Sequence, residues 1–563
     1  MLIIETGFVL LSLLIAFVQP TLGSRWFEKV EMRLWQLSRH RVLSIVCVGV
    51  VALVMRGALL PIEPIPQPTI PDEFSYLLMS DTFAHGRLTN PTHPMWIHLE
   101  APGVNQQPTY VSKYFPGQGV PLAFGQVVFG HPFWGVWLSV GIMCAVICWM
   151  LQGWFAPFWA LLGALLALIR LGTFSYWANS YFGGAVPAIG GALVLGALPR
   201  IKRWQRIGDS MLLGFGLALL ASSRPFEGLI FSLPIVTALL VWIWKSCGSG
   251  NRRIAIRVLV PSALVLAAAF ATMLYYFWRT TGSPFRTPYQ INLDPVPLFP
   301  WQSLRSSPDT NMQAAFFGWE IDQHKFARAH FVISSITRVI QFYLFFLGPA
   351  LTFPFLMLAA GTRRGMLRMR ILLIVFSVSA FGLLLPIYYG PSYAAALTCV
   401  VYALLLAAMQ CVRRWRWRGK STGLAIVRAV PVICFLMLLV RAIGPLHGLR
   451  LPQAAPLTWC SPHLFEQFSR ERVQAAIESR TGLQLALVQY PNDRPQPVDW
   501  VQNLADIDGQ KVIWANDMGV QRNQELIDYF KDRRVWLVEP DEKPVRVTPY
   551  AQNLSSAGSD GEP

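Results

Sequence analysis

Acidic side chains are scarce along most of this chain, so the few that stand among other reactive groups mark where proton-transfer chemistry can occur. Between Ala101 and Asn292 the only acids are Asp209 and Glu227, and between Gln323 and Phe465 there are none. The densest reactive group is Pro71-Asp72-Glu73-Phe74-Ser75-Tyr76, followed by Asp81, His85, Arg87, His93, His98, Lys113 and Tyr114. Adjacent carboxylates can accept a proton or hold a cation. Asp after Pro and before an apolar run is also a common helix N-cap, and capping alone would account for Asp72. Phe74, Leu77, Leu78 and Phe83 have the spacing of an amphipathic helix, expected to lie on a membrane surface with Asp72 and Glu73 at its N-terminus. A hydrophilic loop of some 60 residues is costly to hold near a bilayer unless it forms a site.

The elements that position this loop follow from composition. Of 563 residues 54% are hydrophobic and 14% charged, and the mean hydropathy is +0.42, which points to lipid as the solvent. The net charge is +17, yet the segment from Pro445 onward holds 16 acidic and 12 basic residues. The basic excess therefore belongs to the apolar part, which argues against a soluble, nucleic-acid-binding protein. About twelve apolar runs approach spanning length, near 2–18, 42–60, 131–151, 155–171, 184–199, 208–222, 229–244, 258–277, 339–360, 371–388, 392–411 and 422–443. The first lacks a basic n-region and a small-residue cleavage site, so a retained helix is expected. If the runs alternate, five basic clusters share one side: Arg25 to Arg41, Arg200 to Arg206, Lys245 to Arg257, Arg363 to Arg370 and Arg413 to Lys420. The cytoplasmic preference of Arg and Lys in short loops then orients the bundle. Segments 61–130, 172–183, 223–228, 278–338, 389–391 and the tail from about 445 fall on the outer face.

The tail reads as a small α/β domain, with strands at Leu483 to Gln489, Lys511 to Trp514 and Val535 to Val538, a helix at Asn523 to Phe530, and a disordered Ser/Gly/Asp-rich tip. Most of the eight cysteines lie in apolar runs and read as small buried residues. The fold expected is an all-α polytopic membrane bundle over 1–444, with outer loops 61–130 and 278–338, and an outer α/β domain over 445–563.

The order apolar helix, Pro-Asp-Glu-Phe-Ser-Tyr, Ala-His-Gly-Arg-Leu, then Ser-Lys-Tyr-Phe-Pro-Gly-Gln-Gly-Val-Pro-Leu, resembles the first loop of bacterial polyprenol-phosphate-sugar-dependent glycosyltransferases of the GT-C fold. Their relatives include protein O-mannosyltransferases and aminoarabinose transferases. The likeness covers residues 40–445 in topology and short stretches in motif. Lys113-Tyr114-Phe115-Pro116 stands where relatives have a His-Pro-Pro element, and the Tyr176 to Gly184 loop carries Asn179 and Tyr181 where many have an aspartate.

The resemblance implies a sugar leaving a polyprenyl phosphate for an acceptor hydroxyl on a glycan, lipid or protein, with inversion by direct displacement. Such chemistry needs a carboxylate to take the hydroxyl proton and cations to hold the departing phosphate. Asp72 is the expected base, and Glu73 orients the acceptor or a metal. Arg224, in Ser222-Ser223-Arg224-Pro225-Phe226-Glu227-Gly228, is the first phosphate candidate because its fork matches phosphate oxygens; an intramolecular pair with Glu227 is the equal alternative. Arg87 and Lys113 are weaker candidates, since a loop cation usually faces water.

Tyr76, Tyr114, Asn179, Tyr181, Glu227 and Tyr389 are assigned to the acceptor or cavity. No cofactor is certain; a divalent metal ion has only weak candidate ligands in Glu73, His85, His93 and His98, whose spacing matches no compact zinc motif. Phe174, Tyr176, Trp177, Tyr181 and Phe182 could line a sugar pocket but read first as interfacial anchors. The proline-rich first half of 278–338 excludes a regular helix there, and relatives have a mobile loop at this position. The expected protein is thus a multi-pass enzyme of the bacterial inner membrane, contacting membrane lipids, with its tail on the periplasmic or extracellular side. A polytopic transporter is the alternative, though midplane ionisable positions and two similar halves are not evident. A scaffold with a partner-binding tail is the third class.

Overall fold

A backbone surrounded by lipid must satisfy its hydrogen bonds within itself, and a helix does so within one segment. The computed structural model describes residues 1–248, 252–292, 295–305, 311–358, 369–448, 458–462, 470–490 and 499–550. Helix forms in each of the twelve apolar runs. Among the described residues, eight helices are long and apolar enough to cross a membrane: Arg41–Ala58, Phe133–Trp154, Ala185–Trp204, Pro225–Ser246, Arg253–Thr281, Phe331–Leu356, Ala395–Arg413 and Thr422–Ile443. Twelve spans were expected, and four runs fall short. Leu2–Val18, Pro157–Leu171, Ile207–Ser223 and Arg370–Leu383 have 17, 15, 17 and 14 residues. A 15-residue helix rises only about 22 Å, below the roughly 30 Å of a hydrocarbon core. Pro157 starts one of them at its first turn and Gly172 ends it, so local breakers set the length.

The chain packs as two compact units. The first comprises Met1–Pro66, Phe133–Thr272 and Val332–Leu464. Ala185–Trp204 and Ala395–Arg413 are its central helices, each with 89% of its apolar window buried, whereas only 17% of the Arg253–Thr281 window is. Small residues allow the close approach: a Cβ on Gly191 would lie 2.4 Å from the Ala396 carbonyl oxygen. The short helix Leu2–Val18 is tied in by charge. Glu5 meets Arg170 Nη1 at 3.1 Å and accepts from the Ala350 N–H and the Trp459 indole N–H.

The second unit comprises Gln67–Pro132, Met273–Phe331 and Phe465–Pro563, so the tail shares its unit with both long loops. A two-stranded antiparallel ladder joins β1 (Val104–Asn105) to β2 (Val111–Ser112). The tail carries a four-stranded sheet of β3 (Leu483–Val488), β4 (Val512–Asn516), β5 (Arg533–Glu539) and β6 (Arg546–Pro549), in the order β4-β3-β5-β6. β3 is parallel to both neighbours and β6 is an antiparallel edge. Period-two alternation sends Leu485, Leu487, Ile513 and Leu537 to one face and Ala486, Val488, Trp514 and Val538 to the other. Helix Val520–Tyr529 supplies Leu526 to the first face, and helix Arg470–Glu478 supplies Ile477 to the second. Both faces are covered, as parallel strands require.

Leu78, Leu99 and Tyr110 from the first long loop enter the Leu485 core. Helix Pro71–Ala84 is therefore not the surface helix that its spacing suggests: eight of its 14 residues are buried. Gly119, where a Cβ would collide with Met79, lets helix Gly119–Phe129 close on it as well. The tip beyond Tyr550, Arg363 to Arg368 of the fourth basic cluster and residues 249–251 of the third lie outside the described residues.

Candidate functional site

Pro71 occupies the first position of helix Pro71–Ala84 and Ile70 is its N-cap. Asp72 is thus inside the first turn and is not the cap. No side chain caps this helix start; Glu73, which is 1% exposed, instead holds the residue before the cap, its Oε2 accepting from the Thr69 N–H at 2.8 Å and the Thr69 hydroxyl at 3.1 Å. Asp72 is half-buried, and its Oδ1 accepts a hydrogen bond from the Tyr114 hydroxyl. Its Oδ2 has no hydrogen-bond partner among the described residues. Two adjacent carboxylates therefore differ by environment: one is spent on the backbone and one retains an available oxygen near the positive end of a helix.

Tyr114 is fixed from several sides. Its ring stacks on Tyr76 at 4.6 Å and meets Tyr289 edge-on at 5.5 Å. Its N–H donates to the Ser112 hydroxyl, which is 2.7 Å from that of Ser75. Ser75 also donates to the Gly103 carbonyl, and at Gly103, with φ +76°, L side chains are disfavoured. The Gly103 turn and the β1–β2 ladder thus carry Tyr114 to Asp72 across 42 positions of sequence. The Lys113 ammonium lies 5.6 Å from the Tyr114 ring centroid. Lys113 is buried rather than water-facing, which its place in a loop did not suggest. Tyr289 was passed over in the sequence; its signal was an aromatic next to Pro288 in a short turn capped by Thr287 and Gln290.

Arg87 sits beyond the far end of the same helix, its N–H on the Thr82 carbonyl. The 12-residue rise from Asp72 to Ala84 is about 18 Å, which separates Arg87 from the carboxylate.

The weak metal candidates do not form one ligand set. His85 Nδ1 is 2.8 Å from the Asp81 carbonyl oxygen, and His93 Nε2 is 2.9 Å from Asp508 Oδ1 while its Nδ1 accepts from the Met95 N–H. His98 is buried, and burial pushes its pKa down from the usual imidazole value. Among the described residues no group of three or more His, Cys, Asp or Glu side chains is arranged to hold a metal ion. Asp81 is structural: Oδ2 accepts from the Ala505 N–H and Oδ1 from Gln126.

The remaining candidates belong to the first unit. Arg224 ends helix Ile207–Ser223 as its C-cap, is 8% exposed, and lies with its guanidinium carbon 4.2 Å from the Tyr393 ring centroid and 5.0 Å from that of Phe182. It acts electrostatically on Glu227 in the first turn of the following helix. Asn179 donates to the Thr173 and Ser175 carbonyls, and Tyr181 donates to the Pro66 carbonyl at 2.9 Å, so both serve the backbone. The Tyr176 hydroxyl is 2.6 Å from that of Ser392. Phe174, Tyr176, Trp177, Tyr181 and Phe182 are all buried. The interfacial-anchor expectation is corrected accordingly, because composition cannot distinguish a bundle interior from a bilayer boundary. Tyr389 has a buried hydroxyl without a hydrogen-bond partner among the described residues.

Buried cations passed over in the sequence complete this unit. Arg56 donates to the Glu63 and Pro64 carbonyls, and Arg441 Nη2 is 3.6 Å from Glu63 Oε2. They satisfy local backbone or pair across helix ends, and nothing in their apolar sequence surroundings announced it.

No protein-family model matches the chain. No curated protein matches it either. Among solved structures it is similar to the archaeal oligosaccharyltransferase AglB from Archaeoglobus fulgidus in complex with an inhibitory peptide and a dolichol-phosphate, at 11% identity and TM-score 0.42 over 88% of this chain and 69% of that one. The A. fulgidus oligosaccharyltransferase tethered to an acceptor peptide containing the NVT sequon is similar at 12% identity and TM-score 0.45, over 88% and 68% of the two chains.

Proposed function

We propose that the protein is an integral membrane glycosyltransferase that moves a hexosyl or pentosyl group from a polyprenyl-phosphate carrier to an acceptor hydroxyl, with Asp72 as base and inversion at the anomeric carbon. The reaction is assigned to the outer face of a bacterial cytoplasmic membrane, with the α/β tail on that side. The observation that carries the reading is the division between the neighbouring carboxylates: Glu73 is committed to Thr69, while Asp72 is oriented by Tyr114 and keeps Oδ2 available.

The acceptor oxygen attacks the anomeric carbon as its proton passes to Asp72 Oδ2, and the carbon–oxygen bond to the phosphate breaks with its electron pair leaving on the phosphate. One base suffices, because phosphate needs neutralisation of charge more than protonation. Arg224, its plane held against Tyr393, and Lys113 are the cations proposed to neutralise that phosphate. Tyr289, 38% exposed, offers aromatic surface to the acceptor, while buried Tyr76 backs the Tyr114 ring. No step is assigned to a metal, since the candidate ligands serve separate partners.

The experiment is to supply the purified protein with polyprenyl phosphates bearing different sugars and a mixture of envelope acceptors, and to measure release of free polyprenyl phosphate. Release from one sugar class that requires an added acceptor is expected. Indifference to every lipid-linked sugar would reject the reading.

A further inference from the structure

The helix Ser24–Arg39 and the turn that follows Arg413 take no part in the proposed chemistry. The helix bears four basic and two acidic side chains, and exposes Trp26 (60%), Met32 (61%) and Trp35 (50%). Tryptophans exposed among basic residues are the pattern of a helix lying in the headgroup layer of a bilayer. It packs against helix Pro157–Leu171. Arg428 of helix Thr422–Ile443 grips it by a two-pronged pair with Glu31, at 2.8 Å through Nε and 2.9 Å through Nη2.

Among these three helices is a cavity of about 270 Å³, walled by apolar side chains that include Phe27, Leu34, Leu162, Ile169 and Leu436. Its charged lining is unequal. Arg428 is neutralised by Glu31, whereas Arg413, which also lines the cavity and lies 5.9 Å from the Trp159 ring centroid, has no carboxylate partner among the described residues. Arg413 begins the stretch Arg-Arg-Trp-Arg-Trp-Arg-Gly-Lys, five cations without an acid in eight positions. That stretch is an ordered turn: Trp417 and Lys420 pair through their backbones, and Trp415 and Trp417 each meet Phe17 at 5.9 Å.

We propose that this cavity holds one acyl chain of an anionic phospholipid, with the lipid phosphate set against Arg413 and the cationic turn. Apolar walls exclude a hydrated headgroup but receive a hydrocarbon chain without leaving polar groups unpaired. The volume suits a stretch of one chain and not a whole lipid. Arg413 at the lining, with the adjoining cationic turn, selects a negatively charged headgroup over a zwitterionic one. The inference rests on the helices spanning a membrane and is independent of the glycosyltransferase reading.

The test is native mass spectrometry on the full-length protein, extracted in detergent and titrated with phosphatidylglycerol or phosphatidylcholine. Wild-type protein is expected to retain one phosphatidylglycerol in preference to phosphatidylcholine. Arg413→Gln, at the exposed end of helix Ala395–Arg413, should weaken phosphatidylglycerol retention about fivefold and leave phosphatidylcholine unchanged. Leu162→Trp should block retention by filling the cavity, and Leu436→Phe provides a milder filling if the tryptophan variant fails to fold. Equal retention of the two lipids would overturn the proposal, as would phosphatidylglycerol binding unaltered in the variants. Displacement of the bound phospholipid by a polyprenyl phosphate at equal concentration would overturn it too, assigning the cavity to a different chain.

Discussion

The hydroxyl of Tyr114 donates to Asp72 Oδ1, and it reaches that oxygen from a loop whose own position depends on Ser75, one turn further along the Asp72 helix. The carboxylate and the group that orients it are thus built on a common support. Tyr114→Phe keeps the stack on Tyr76 but removes the donor. A hydrogen bond to a charged group is worth about 1.5–3 kcal/mol, so turnover should fall roughly tenfold to a hundredfold while thermal stability changes little. Steady-state kinetics beside a melting curve checks it; unchanged kinetics would mean that Asp72 needs no orientation by Tyr114.

Glu73 should behave as a structural residue. Glu73→Ala leaves the buried Thr69 N–H without its acceptor and should destabilise the protein by about 1–3 kcal/mol, whereas Glu73→Gln retains an acceptor oxygen and should lose less. Thermal unfolding in detergent distinguishes the two. Restoration of Glu73→Gln activity by added divalent ions would instead return Glu73 to metal binding.

Arg224→Lys preserves charge but removes both the fork and the planar stacking on Tyr393. The expected cost is about 1–3 kcal/mol in transition-state stabilisation, roughly tenfold to a hundredfold in kcat/KM for the lipid-linked donor. Wild-type kinetics in this variant would assign Arg224 to its electrostatic partner Glu227 alone.

The second unit should lose stability as the solution is acidified below about pH 6.5. Burial lowers the His98 pKa, so the unfolded chain binds a proton that the folded one resists. The stability contributed by neutral His98 is complete above the unfolded value and is lost as pH falls through the folded one. Burial raises the Glu100 pKa, which has the opposite sign and relieves strain as pH falls. His98→Gln isolates the histidine: its unfolding midpoint should decline less between pH 7 and 5 than that of the wild type. An identical decline would remove His98 as the cause.

Local pattern revealed much of this architecture. The runs read as strands at Leu483 to Gln489 and Val535 to Val538 lie on the observed strands Leu483–Val488 and Arg533–Glu539, since mainly apolar residues suit a sheet covered on both faces. Pro71 marked the start of the helix carrying Asp72 and Glu73. Long-range relations were not legible. Leu78 shares a core with Leu485, some 400 positions away, and only tertiary packing turns the expected surface helix into a buried one. That Asp72 is not the cap, and that Glu73 rather than Asp72 turns back to Thr69, depends on Ile70 being the N-cap, a shift of two residues that propensity does not resolve. Apolar length likewise did not reveal that Leu2–Val18 is held by Glu5 on Arg170.

The proposed orientation is tested by labelling single cysteines with a reagent that does not cross membranes. A cysteine replacing Asp541 in the tail should react from outside intact cells, and one replacing Ser421, beside the Arg413–Lys420 cluster, should react only after permeabilisation. The reverse pattern would place the tail, and Asp72 with it, in the cytoplasm.

If Asp72 removes the acceptor proton, single-turnover transfer of labelled sugar by Asp72→Asn reads that role directly. The substitution leaves the Ile70 cap and the Glu73–Thr69 bonds in place, so the helix start loses only the modest dipole interaction of the Asp72 charge. Tyr114 can still donate to the amide oxygen. Loss of a general base typically costs about a hundredfold to ten-thousandfold in rate. A loss of that size at little-changed melting temperature is expected, exceeding the loss in Glu73→Gln. Full activity of Asp72→Asn would contradict it, and a larger loss at Glu73 would exchange the roles of the two carboxylates.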